Sequence, residues 1–544
     1  MIFRVLSNTK RSKAASIGLM AAFLSGCTVA PSPIGVAEMD EQLSRDRSLA
    51  YNDMEPIVGP ISLEEAIARA IKYNLDHRIG LMEQAVARGE LDLSRYDMLP
   101  SLLAEAGYNT RSEPRLSRQE NALTGEDIES DPTISSDQSS GDFSMELGWS
   151  LLDFGASYYQ ARQNSNRLLI ASERRRRAMH LLIMDVQTAY WRAASAQELE
   201  GQIKTTVNAA KAAIEDARRA QQGNAKKPME HLQQLQTLLR SLRDIQNVRQ
   251  ELGAARVELA HLINAPIGQR LVLDPDLSVD ITPEVLNHSM KSLELVALFN
   301  NGDLKEPFYD VRIAALETRR SLLDLLPDLT LNWGPQYTTD SFTLSDTWSE
   351  GAFALSYNLF NLFKINDVRA NVKAREQLAR MRRVAMQMNV VAQVHLAALQ
   401  AKNARDRLNV AEDLLSVERE IEGRMVRQYI AGTISRAELV RTQTAAMVAQ
   451  LQRYQAVAGF HSAMGRLQAS LGVEPLISSI NETLLGEIKE EVKLSLEQWY
   501  SGAAVRQEVA KVNRAIATPS DTSGGVTKTK DTKGDDGAGP LTTH

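Results

Sequence analysis

The chain has 544 residues, 43% hydrophobic but only 5% aromatic, a composition suited to long helices rather than to an aromatic-rich globular enzyme. With 62 basic and 68 acidic residues the net charge is −6, too near balance for a nucleic-acid-binding field. The only cysteine is Cys27, which excludes an intrachain disulfide and a cysteine-based zinc site.

Arg4, Lys10, Arg11 and Lys13 form a basic start, and an apolar stretch follows from Ala14 to Leu24. That stretch is too short to cross a bilayer and predicts a secretory signal over residues 1–26. It ends in Leu24-Ser25-Gly26-Cys27, which resembles a bacterial lipobox. The resemblance implies cleavage before Cys27 and a covalent lipid on its thiol, with no other cofactor. Several acyl chains on one residue anchor firmly. Thr28 in place of aspartate implies, by resemblance to Gram-negative sorting, the outer membrane. Residues 27–60 then read as a proline-containing lipidated tether. No other segment has 18 uninterrupted apolar residues, so no spanning helix is predicted; membrane β-strands would leave no such peak.

Ser62-Leu63-Glu64-Glu65 resembles a capping box opening an apolar stripe of Ala66, Ile67, Ala70 and Ile71, which predicts a helix from Ser62 to Leu99. A strand is expected over about 100–111, where Leu102, Ala104, Ala106 and Tyr108 alternate with more polar neighbours. Residues 112–141 are polar and acidic and read as a surface loop. Alternation is cleanest at Phe143, Met145, Leu147, Trp149 and Leu151, a strand over about 142–153. A proline-free helical pattern runs from near Ala156 to about Gln222, on the order of 100 Å long. A tip near 223–228 (Gly223, Lys226, Lys227, Pro228) leads into a return helix to about Asn264.

The second half repeats this order. Strands are expected over about 327–338 and 350–361, a long helix from about Asn366 to Tyr429, a tip near 430–436 and a return helix to Leu471. Leu99-Pro100 recurs as Leu326-Pro327, and Trp149-Ser150-Leu151-Leu152-Asp153-Phe154 as Tyr357-Asn358-Leu359-Phe360-Asn361-Leu362. Gly223 and Gly432 share one offset with Pro266 and Pro475. The chain therefore reads as an internal duplication, with repeats at 61–275 and 276–475. Residues 476–517 read as helical. Residues 518–544, rich in Gly, Thr, Lys and Asp, read as a disordered tail.

Period-two alternation places a greasy set on one face of each strand and a wet set on the other. Such a sheet either packs on a soluble core or faces lipid outside and water inside. Four strands of about ten residues each match one bilayer crossing apiece. Four cannot close a barrel, and an open edge cannot sit in lipid. The membrane reading therefore requires sibling chains to share one barrel.

From about Ile61 to Pro475, the Leu-Pro strand starts, the two post-strand segments and the glycine-marked tips in duplicated order resemble the TolC family of outer-membrane efflux channels. The resemblance implies an α plus membrane-β fold. Four strands per protomer would join a homotrimer's twelve-stranded outer-membrane barrel, standing on long helical hairpins that form a periplasmic tunnel. It also implies a periplasmic adaptor at the tunnel tips and an inner-membrane pump or ABC exporter supplying energy. The chain itself would be a passive conduit for small molecules or for a secreted protein.

Tyr429 and the Gly432-Thr433 turn match the family's tip. The resemblance places Glu438 at the first acidic position of a closed aperture, where three copies would form a carboxylate ring. Arg441 stands at the second acidic position, a departure that permits a Glu438–Arg441 pair at i,i+3. Glu438 otherwise reads as a solvated helix residue. Gly223, Lys226 and Lys227 read either as an adaptor contact or as an exposed basic turn.

No His-Glu-x-x-His, Gly-x-x-x-x-Gly-Lys or Gly-x-Ser-x-Gly run occurs, so no catalytic or metal site is predicted. Glu173-Arg174-Arg175-Arg176-Arg177 lies within a long helix without interleaved aromatics and reads as a solvated face, not a nucleic-acid site. Two function classes remain: an export channel, or a structural or adaptor lipoprotein that bridges the periplasm without a pore. The alternating strands favour the channel, because an adaptor needs no lipid-facing strands.

Overall fold

The structure is a computed structural model describing residues 31–52, 54–118, 121–125, 128, 131–223, 228–275, 283–473 and 484–517. Residues 1–26, Cys27, Lys226, Lys227 and 518–544 lie outside the described residues. The chain divides into two units after Pro56. In the first, α1 (Val36–Tyr51) buries no residue. Part of the segment expected as a tether is thus helical: it is rich in strong helix formers and carries an Arg45–Glu41 ion pair one turn apart.

The second unit opens with α2 (Leu63–Tyr73), started where the Ser62 hydroxyl accepts a hydrogen bond from the Glu65 amide at 3.3 Å. The single helix expected to Leu99 is broken at Asn74, and α3 (Leu75–Tyr96) follows. Asn74 takes an extended backbone and its Oδ1 accepts from the His77 amide at 3.0 Å. Its Nδ2 donates to the Leu262 carbonyl at 3.1 Å. This side chain both caps the new helix and pins the end of a distant one.

After α3 come β1 (Ser101–Thr110), β2 (Leu116–Ser117), β3 (Thr133–Ile134) and β4 (Ser139–Ser150). The β2–β3 pair is a small hairpin inside the segment expected as plain loop. Then α4 runs from Leu151 to Gly223, 73 residues and about 110 Å, and α5 (Pro228–Leu262) returns beside it. Strand β4 ends three residues before the expected limit. The Ser150 hydroxyl accepts from the Asp153 amide at 2.9 Å, capping α4, so apolar Leu151 already belongs to the helix.

A second series follows: α6 (Met290–Asn300), α7 (Gly302–Leu323), β5 (Asp328–Thr338), β6 (Thr347–Ser356), α8 (Asn361–Ile430) and α9 (Arg436–Leu471). Strand β6 also ends early, at a turn in which Asn358 Oδ1 accepts from the Phe360 amide at 3.0 Å. Asn301 repeats the role of Asn74. Its Oδ1 caps α7 through the Leu304 amide at 3.1 Å, and its Nδ2 donates to the Ser470 carbonyl at 2.8 Å.

The long helices α4 and α8 each take two partners in succession. Near the strands, α3 and α7 flank α4, and α7 reaches α8; towards the tips, α5 and α9 flank α4, and α9 pairs with α8. The basic run of α4, expected to be solvated, is a set of ties between helices. Arg174 pairs with Glu306, Arg177 with Asp303 at 2.7 Å, and Arg176 donates to the Asn300 carbonyl at 2.6 Å.

One core lies where α10 (Leu485–Tyr500) and α11 (Ala503–Ala517) meet α6, α8 and α9. It holds Leu293, Val296, Val394, Phe460, Leu467 and Trp499. Beside it, His461 stacks on Trp191 with ring centroids 5.1 Å apart, and its Nδ1 lies 2.7 Å from the Tyr500 hydroxyl. Burial lowers the pKa of His461 to about 4; burial, then Arg176, does the same to His180. Both are neutral when folded, so as pH falls the unfolded chain takes up protons first. Their contribution is intact above pH 6.5 and is lost as pH falls towards 4. Between pH 6.5 and 5 the loss is about 2 kcal/mol per histidine. The urea midpoint should therefore drop from pH 7 to pH 5, and His461→Gln/His180→Gln should flatten that slope. An unchanged slope in the double variant would refute the assignment.

Candidate functional site

The four long strands form one antiparallel sheet in the order β1-β4-β5-β6. Its register brings the alternating sets of all four strands into line. Leu102 is paired with Leu147, and Leu147 with Trp333. Phe143 is paired with Tyr337. Trp149 is paired with Leu331, and Leu331 with Phe353. Directly opposed residues share a face, so one face is apolar and aromatic across the sheet. The other carries Glu105 opposite Ser144, Asp142 opposite Thr338, and Gly148 opposite Asn332. Leu103 and Trp348 are its large apolar exceptions.

Exposure is the reverse of a soluble sheet. Along β4 from Phe143, and along β5 from Thr330, apolar-face residues are the more exposed and polar-face residues the more sheltered. Trp333 is 54% exposed and Phe353 72%. Among the described residues only α4 makes more than a passing contact with these strands, so no helix layer covers the greasy face. The alternative of a soluble core beneath the apolar face is therefore not supported among the described residues.

The ends of the sheet are aromatic too. Trp149 packs edge-on to Phe154 at 5.8 Å, and Phe360 lies 6.5 Å from Phe363, all four exposed, where strands pass into helices. Tyr108, Phe143 and Tyr337 are exposed towards the opposite end. Both outer strands, ten residues each, have one edge without a partner among the described residues.

Gly334 holds β4 and β5 together at mid-strand. A Cβ there would stand 1.8 Å from the Met145 carbonyl oxygen and 3.0 Å from the Glu146 Cα. Sequence reasoning took Gly334 only as a small residue in the alternation, because a close approach between strands leaves no local signal. Asn74 and Asn301 were missed as well, although the repeated Asn-x-Asp at 74–76 and 301–303 was a usable signal.

At the other end of α8, the helix closes on Gly432 at φ +72. The Gly432 amide donates to the Tyr429 carbonyl and the Thr433 amide to the Gln428 carbonyl, both at 3.0 Å, a Schellman closure that needs a left-handed residue. The Thr433 hydroxyl also donates to Gln428 at 2.9 Å. Ser435 caps α9 by accepting from the Glu438 amide at 3.2 Å. Arg436 crosses to Asp216 of α4 at 3.0 Å, tying the tip to its neighbour.

Glu438 and Arg441 form an ion pair on one exposed face of α9. That hydrogen bond, opposed by partial burial, raises the Arg441 pKa. The structure thus brings Glu438, Arg441, Gly432 and Thr433 to one end. Gly223 closes α4, while Lys226 and Lys227 lie outside the described residues. Among the described residues no cluster of His, Cys, Asp or Glu could hold a metal.

The chain matches the Outer membrane efflux protein family over residues 67–265 and 297–473. No curated protein matches it significantly. Among solved structures it is similar to a membrane protein from Pseudomonas aeruginosa, 16% identical over 75% of this chain and 90% of that one, with a TM-score of 0.57. It is similar to the Campylobacter jejuni CmeC outer membrane channel, 13% identical over 86% and 97%, TM-score 0.56. It is also similar to the open state of the Neisseria gonorrhoeae MtrE outer membrane channel, 18% identical over 75% and 90%, TM-score 0.55. With the match covering both series of elements, the chain belongs to the outer membrane efflux protein family.

Proposed function

We propose that this chain is one protomer of a homotrimeric outer-membrane channel in a tripartite export system, a passive conduit with no catalytic step. The observation that carries the reading is the inverted exposure of the sheet. Tryptophan and phenylalanine lie open on its apolar face while carboxylates and amides line the opposite face. In water that arrangement is unfavourable by roughly 25 cal/mol per Å² of apolar surface left exposed. In a bilayer it is what lipid outside and water inside require. Four strands of ten to twelve residues leave two open edges, which lipid does not tolerate. Pairing β6 with β1 of the next copy removes them and gives twelve strands for three chains.

The matched capping by Ser62 and Ser289, and by Asn74 and Asn301, supports an internal duplication. The long hairpins then form a periplasmic tunnel whose tips meet an adaptor, and an inner-membrane pump supplies the energy. Efflux of small molecules is the reading in line with the family. An SDS-resistant, heat-modifiable trimer and single-channel conductance in a planar bilayer are the expected results. A monomer without conductance refutes the proposal and favours a non-conducting lipoprotein.

At the tip, three Glu438 carboxylates set near a common axis tune cation passage, with Arg441 restraining each of them. Glu438→Ala is expected to weaken block by divalent cations several-fold; unchanged block removes Glu438 from the aperture. Lipidation at Cys27 anchors the mature chain to the outer membrane. Cys27→Ser should leave a folded but weakly anchored or mislocalised chain. A wild-type mature N-terminus lacking the diacylglycerol mass would rule the anchor out.

A further inference from the structure

Away from the sheet and the tips, the helical unit holds a cavity of about 400 Å³. It lies between α4, the start of α7, α8 and the end of α9. Its size is within the range of small-molecule sites, about 300–1,000 Å³. Leu181, Met184, Leu396 and Ala469 give it an apolar wall drawn from three helices. Its charged lining is basic, with Arg176, Arg177 and Arg466 against the one carboxylate of Asp303.

The three guanidiniums are not equivalent. Arg177 pairs with Asp303 at 2.7 Å, and Arg176 with Glu173 at 2.5 Å. Arg466, exposed on α9, forms no ion pair among the described residues; Asp185 feels its charge without pairing with it. One positive charge of the lining is therefore unmatched. The same corner holds the start of α7. The amides of Gly302 and Asp303 open that helix and take no acceptor among the described residues. Helix starts with unused amides attract anions.

A buried histidine points the same way independently. His180 lines the cavity at 7% exposure, and its Nε2 is enclosed without a hydrogen-bond partner among the described residues. A buried polar atom left unpartnered is costly. Burial and Arg176 keep this imidazole neutral, so Nε2 can carry the hydrogen and donate it to an acceptor oxygen. We infer that the cavity binds a small amphiphilic carboxylate, its head held by Arg466, His180 and the start of α7 and its short alkyl chain laid on Leu181, Met184 and Leu396. A cation would meet Arg466 and the positive end of α7, and a wholly polar anion would leave the apolar wall unused. The site is built from helices alone and does not rest on the channel reading.

The test uses the full-length chain in phosphatidylcholine nanodiscs and octanoate carrying a photoreactive diazirine. Irradiation is expected to attach the probe saturably to peptides bearing Met184 or Leu396, read by mass spectrometry, with plain octanoate competing. The matching diazirine octylamine should not label those peptides above the level of a competed sample. Arg466→Gln should raise the concentration for half-labelling by about tenfold or more, the loss of one charge-assisted hydrogen bond. Arg466→Lys keeps the charge and should recover part of that loss. Leu396→Trp fills the cavity from α8 with every charge in place and should abolish labelling.

Labelling that octylamine matches, that Arg466→Gln leaves unchanged, or that falls elsewhere on the chain overturns the inference. So does an absence of saturable labelling in the wild-type chain, the result expected if side chains of a sibling copy fill the cavity on assembly. Competition by plain octanoate on the wild-type chain needs no substitution, so a variant that misfolds does not remove the test. Conductance is not part of the readout, so failure of the channel reading would leave this result standing.

Discussion

Gly334→Val is expected to abolish assembly of the sheet. The first atom of the new side chain would fall 1.8 Å from the Met145 carbonyl oxygen, far inside contact distance and against backbone that cannot swing aside. Ordinary overpacking costs about 1–3 kcal/mol. A backbone collision in the middle of the β4–β5 pairing exceeds that, because it forces apart strands whose other neighbours are already paired. Pro335 supplies no amide, so the ladder has little reserve at this height. The heat-modifiable trimer band should disappear and the chain should become protease-sensitive. Gly351→Ala is the control. A Cβ there meets the Trp333 Cδ1 at 3.5 Å and the Asn332 carbonyl oxygen at 4.0 Å, ordinary contacts both, so assembly should survive. Equal behaviour of the two variants would show that the close approach at Gly334 is not what holds the sheet.

Leu147→Arg is expected to prevent stable insertion while leaving the helical unit folded. Leu147 sits on the apolar face one step inside Trp149, between Leu102 and Trp333. An arginine on the lipid face of a β-barrel costs up to about 2–4 kcal/mol, less towards the interface, and three copies impose it together. Gln336→Arg, on the polar face opposite Ser144, meets water in the proposed bore and should assemble with little loss. The measurement is the fraction of chain recovered as trimer in outer-membrane fractions, with far-ultraviolet dichroism to establish that the helices persist. Should Leu147→Arg insert as well as Gln336→Arg, lipid does not face Leu147 and the barrel reading fails.

Much of this was legible in the residues because it is periodic. A two-residue period is a face, whatever the fold around it. Phe143, Leu147, Trp149, Leu331 and Trp333 could be assigned to one side before any register was known. Proline-free stretches set the scale of α4 and α8, and Gly432 marked the left-handed turn that ends α8. The Glu438–Arg441 spacing already allowed the pair that the structure contains.

Boundaries were less legible where two patterns overlap. Leu151 continues the strand's alternation yet belongs to α4, because the Ser150 cap decides the junction. The break at Asn74 depends on the Leu262 carbonyl, 188 residues away, to which its amide donates. His461 meets Trp191 and Tyr500 from two other helices, and nothing local to it foretold their contact.

From sequence alone, then, the chain's two faces, its long helices and its turn residues were determined, since each is a property of neighbours a few positions apart. Whether the greasy face is covered was not, because the same alternation serves a soluble sandwich and a lipid-facing wall. Only the tertiary arrangement decided it. Register gathers the apolar residues of four separated strands onto one surface, those residues stand exposed, and among the described residues no other layer comes to cover them.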